Sequence, residues 1–171
     1  AAHHITVTAL LLPLLAATIA GCASGPPESQ FADRLAEADQ VFNGRQYAQA
    51  GVLFEDIAAE ANAVGDNTAY TEAAAMRART MLQLGDRHGG EVWLEQARVH
   101  SSAQGDPVGW SRYLGVRGRF EWTAKDSVAA TATFKGLFDY CETNELYERA
   151  VDATHMIAIV APHAERFEWA H

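Results

Sequence analysis

Ala50, Phe54 and Ile57 recur forty positions later as Gly90, Leu94 and Ala97, and forty after that as Ala130, Phe134 and Leu137. A small residue followed at +4 and +7 by apolar ones marks a single face of an α-helix. Its return at a fixed interval means that the chain is built from copies of one supersecondary unit, none of which can bury its apolar face alone. From Phe31 onward there is almost no period-two alternation. The body is therefore expected to be all-α, a stack of antiparallel helix pairs.

The punctuation supports that reading. Gly65-Asp66 and Gly105-Asp106 are also forty apart. Glycine suits the left-handed position that ends a helix, Asp caps the next one, and Pro107 fits a first turn that needs no N–H. These signals predict helices near 31–43, 46–63, 67–84, 88–103, 107–124, 126–142, 146–160 and 163–171. Phe54, Leu94 and Phe134 are expected to be buried equivalents, each wedged between the two helices of its own unit. A fourth copy, Tyr147 to His171, places Phe167 and Ala170 in register at a spacing of 33. It stops within a helix, so further repeats or another domain are expected beyond residue 171.

The triplets, with Gly44 and Tyr47 ahead of the first and Gly85-Asp86 ahead of the second, resemble the tetratricopeptide repeat in a long, roughly 40-residue form. The resemblance covers residues 31–171. It implies a right-handed α-solenoid with three full repeats and a fourth truncated one, and a protein that binds other proteins in the groove lined by the first helix of each repeat.

The first thirty residues are different in kind. No Asp, Glu, Lys or Arg precedes Glu28. Ile5 to Ala20 is an apolar run of about 24 Å as a helix, short of the roughly 30 Å hydrocarbon core and suited to a signal peptide. It ends in Ile19-Ala20-Gly21-Cys22, which resembles the lipobox of bacterial lipoproteins. By that resemblance 1–21 is a cleaved lipoprotein signal peptide and Cys22 the acylated mature N-terminus, held firmly at the membrane by its acyl chains. Residues 22–30, rich in Gly, Pro and Ser, read as a flexible tether. Ala23 after the cysteine implies the outer membrane, facing the periplasm. The start at Ala1-Ala2-His3-His4, with no Met and no basic residue, is expected to be a truncation of a longer leader.

Composition narrows the function. The 22 acidic against 13 basic side chains give a formal net charge of −9, which repels phosphate backbones and makes nucleic acid an unsuitable partner. Two cysteines, Cys22 and Cys141, exclude a disulfide framework and a four-cysteine zinc site. No two histidines have the i, i+4 spacing with Glu of a helical zinc site, and there is no nucleophile elbow, P-loop or dinucleotide fingerprint. Adjacent acids such as Glu55-Asp56 point about 100° apart on a helix and cannot flank one bond. The expectation is a protein that is not an enzyme, with no cofactor, metal or small-molecule substrate.

The leading reading is an envelope scaffold that holds a partner peptide or helix. The alternative is the solenoid arm of a longer envelope enzyme, such as a peptidoglycan-cleaving one, whose catalytic domain follows residue 171. In the scaffold reading the outward positions of the first helices are Glu72, Arg79 and Gln83 in the second repeat, Arg112, Arg119 and Trp122 in the third, and Glu148, Asp152 and His155 in the fourth. Three arginines and a tryptophan in one groove would suit an acidic peptide segment or a free C-terminus. The competing expectation is that these arginines pair with acids along their own helices and that Trp122 is core.

Overall fold

A computed structural model describes residues 30–162 and Trp169. The leader, Cys22, most of the tether and the expected eighth helix lie outside the described residues. Within them the chain forms seven helices and no strand: α1 (Ala32–Asn43), α2 (Tyr47–Val64), α3 (Asn67–Gln83), α4 (Arg87–His100), α5 (Pro107–Thr123), α6 (Ser127–Thr143) and α7 (Tyr147–Val160). Consecutive helices pack on one another, and α3 also packs extensively on α5, an arrangement compatible with an α-solenoid.

The forty-residue period is a twenty-residue metre counted twice. Asp66, Asp86, Asp106 and Asp126 cap α3, α4, α5 and α6, each accepting from the backbone N–H three residues on at 2.9 Å. Such a cap contributes about 1 kcal/mol. The preceding residue is left-handed in most turns: Arg45, Gly65, Gly85, Lys125 and Glu145 have φ between 60° and 86°. At each of these turns the next N–H reaches back five residues, from 46 to 41, 66 to 61, 86 to 81, 126 to 121 and 146 to 141. That is the closure of a Schellman motif, which satisfies carbonyls a helix end leaves bare.

The metre fails once, between α4 and α5. Gly105 does not have positive φ, and Ser101 leaves α4 in an extended conformation with ψ 153°. A six-residue connector replaces the tight turn, and α4 meets α5 over only a short stretch. The expected equivalence of Phe54, Leu94 and Phe134 is accordingly corrected in its middle member. Phe54 and Phe134 are wholly buried, whereas Leu94 is half-buried, because α4 is covered mainly by α3. Val92 and Val99 on α4 stand exposed.

Small residues set the closest approaches. A Cβ at Gly118 would lie 2.7–3.0 Å from the Phe134 ring, and one at Gly90 would lie 2.8 Å from Phe120 and 2.9 Å from the Ala78 carbonyl. Phe134 with Leu137, Ile157 and Val160 forms one core between α6 and α7, and Phe54, Ile57, Met76 and Phe120 belong to a second that runs from α1 to α5. Cys141 is buried in the former, where burial pushes its thiol up to about 11. A thiol so disposed is a packing residue rather than a nucleophile.

Candidate functional site

The first helix of each unit contributes to one polar seam. From α1 comes Asp39, from α3 Glu72, Met76 and Arg79, from α5 Arg112 and Arg119, and from α7 Arg149 and Asp152. Glu72 and Arg112 sit at the centre. Arg112 donates to Asp39 at 2.8 Å and to Glu72 at 3.3 Å. Arg149 also donates to Glu72, and further to the Val108 carbonyl at 2.7 Å and the Ser111 hydroxyl at 2.9 Å. Burial alone would raise the Glu72 carboxyl, but Arg149 and Arg112 outweigh it and hold it below its ordinary value.

Arg119 is buried and forks onto both oxygens of Asp152, at 2.8 and 2.9 Å, while its other nitrogen donates to the Gly115 carbonyl at 2.8 Å. Asp152 itself remains half in water. The pairing expected along single helices is therefore found between helices instead. Glu72, Arg112 and Arg119 are turned inward and engaged rather than projecting freely, because an unpaired charge at those depths would cost far more than the contacts recover.

Arg79 is the exception. Among the described residues no ion pair or hydrogen bond holds its guanidinium and its buried Nε has no partner, while its cation lies 4.7 Å over the Phe42 ring. Burial, then the neighbouring cations Arg119 and Arg112, pull its pKa down to about 10. Among the described residues of the seam, four guanidiniums thus face three carboxylates, Asp39, Glu72 and Asp152, leaving one positive charge in excess within an acidic chain.

Above the seam opens a groove of about 320 Å³. It brings together six of the expected positions, Arg79, Gln83, Arg119, Trp122, Asp152 and His155, beside Leu82, Thr123 and Met156. Trp122 is 40 % exposed and is not core. Glu148 is exposed in the first turn of α7, and neither it nor Glu72 nor Arg112 lines the groove. Sequence reasoning missed Asp39 and Arg149, whose partners are 73 and 77 residues away, and no periodic signal relates such pairs.

Among the described residues no helix is long and apolar enough to span a membrane, and no group of His, Cys, Asp or Glu is placed to hold a metal ion. No protein family, curated protein or solved structure matches this chain.

Proposed function

We propose that this chain is a tetratricopeptide-like scaffold, a right-handed solenoid of helix pairs. In this reading an acylated Cys22 holds it at a bacterial outer membrane, facing the periplasm, and it binds an acidic segment or free C-terminus of a partner protein in the groove over α3, α5 and α7. The observation that carries the reading is Arg79: a cation with no ion pair among the described residues, lining a groove that also presents an exposed tryptophan. Charge-assisted pairing with a carboxylate supplies what Arg79 lacks, and Trp122 with Leu82 and Met156 offers the apolar anchor around which binding energy concentrates.

The test is fluorescence anisotropy with a panel of acidic peptides, each prepared with a free and with an amidated C-terminus, against wild type and Arg79→Met. Binding by wild type that falls about tenfold or more in Arg79→Met supports the reading. Loss on amidation assigns the C-terminus, and retention assigns an internal acid. Equal affinities of the two proteins would overturn the groove assignment. The anchor is tested separately: Cys22→Ala should release the protein from the membrane fraction, and pelleting that survives a high-salt wash would refute it.

A further inference from the structure

Adjoining the groove, and sharing Arg79, Arg119 and Asp152 with it, lies a smaller, partly open space of about 40 Å³ lined chiefly by Arg79, Arg112, Arg119, Arg149 and the Asp152 carboxylate. We infer that this space is an inorganic-anion site, which holds one monovalent ion of chloride size between the guanidiniums of Arg79, Arg112 and Arg119.

Three observations lead there. The first is charge: with four arginines against three carboxylates, one anion restores neutrality, and a divalent one would overshoot. The second is an unmet donor. Arg79 Nε is buried and unpartnered, and a buried N–H of a charged group left unsatisfied is costly. The third is size. One water needs roughly 10–15 Å³ on the same measure, so the space has room for about three waters, enough for a monatomic anion and too little for a peptide. Burial and two neighbouring cations already press Arg79 toward its neutral form, a strain that a bound anion would remove.

A water bridging Arg79 Nε to the Asp39 Oδ1, which also lacks a partner, would satisfy both hydrogen bonds. It would leave the excess charge in place. The two occupants therefore differ in a measurable way, because water shows no dependence on the identity of the salt.

The ion would neutralise the same Arg79 charge that the peptide reading uses, so the two ligands compete there, and the ion test contains no peptide so that either reading can fail alone. The full chain is melted in sodium gluconate and in sodium chloride at equal ionic strength, about 150 mM, with Arg79→Met alongside. Chloride is expected to raise the melting temperature of wild type by about 2–4 °C by binding only the folded state. It should not move that of Arg79→Met. The ³⁵Cl resonance should broaden in the presence of wild type and sharpen when bromide is added. Equal melting temperatures of wild type in the two salts would overturn the site, as would a chloride effect of the same size in Arg79→Met.

Discussion

Replacing Arg79 by Met should make the protein more stable, although it deletes a half-buried side chain that packs on α1. Folding lowers the Arg79 pKa from its ordinary value to about 10, which at 1.36 kcal/mol per pH unit corresponds to ~3 kcal/mol against the charged form. Water reaches the half-buried side chain, and screening removes about half of that. The cation contact with Phe42, worth about 0.5–1 kcal/mol, is lost, while Met keeps apolar contact with the ring. The balance is a gain of ~1 kcal/mol, or about 2–4 °C in melting temperature, measured by circular dichroism in chloride-free buffer at pH 7. The sign follows from the direction of the shift. The folded value lies below the unfolded one, so the penalty is complete at pH values below about 10 and fades as the pH rises through that value. Arg119→Met should do the reverse and cost about 1–3 kcal/mol, since it strips the Gly115 carbonyl and Asp152 of their donor. A loss of 1 kcal/mol or more in Arg79→Met would refute the reasoning, because it would show that the cation is held by favourable contacts rather than tolerated.

The remaining predictions concern the scaffold. Gly118→Ala should cost about 1–3 kcal/mol in chemical denaturation, since its Cβ would press on the Phe134 ring, which is enclosed on all sides. Phe134→Ala should cost about 3–5 kcal/mol and Leu94→Ala clearly less, in keeping with their different burial; equal losses would restore the equivalence that the structure denies. Lys125→Gly should stabilise by about 1 kcal/mol, because Lys125 holds a left-handed φ of 67° that glycine adopts without strain. The folded Glu72 carboxyl titrates below its ordinary value of 4.5, so its pairing contributes fully above that pH and is lost as the pH falls through the lower folded value. Glu72→Gln should flatten the acid limb of stability against pH, and an unchanged limb would place its cause elsewhere.

The fold was largely legible because its signals are local. A triplet on one helical face, a Gly-Asp pair at the turn and a Pro in the first turn each act within a few residues, and together they place seven helix boundaries to within about three residues. The half-period was there to be found as well, since Asp66, Asp86, Asp106 and Asp126 stand at twenty-residue intervals. The pairs Gly65-Asp66, Gly85-Asp86 and Gly105-Asp106 already carry it, and only the fourth turn departs, where Lys125 takes the left-handed position that Gly65 and Gly85 take elsewhere. The half-buried state of Leu94 was not legible for a related reason. Gly105-Asp106 has the same letters as Gly65-Asp66, yet α4 ends early at His100 and the glycine is never called on for positive φ.

The site was legible only in part, and the division has a physical cause. Helical register tells which residues share a face, and Arg79, Gln83, Arg119, Trp122, Asp152 and His155 line one groove. It carries no information about depth, and depth decides whether an arginine is a ligand-binding group or a structural one. Arg112 and Arg119 sit where three first helices converge, and carboxylates from other helices, 73, 40 and 33 residues distant, reach them there. Arg79 lines the same groove as Arg119, but Phe42 lies across its cation, and among the described residues Asp152 and Asp39 act on it without a direct ion pair. The same residue type on the same face thus divides into two roles according to what α1 and α7 place opposite it. The unmatched cation is the one that a ligand can use.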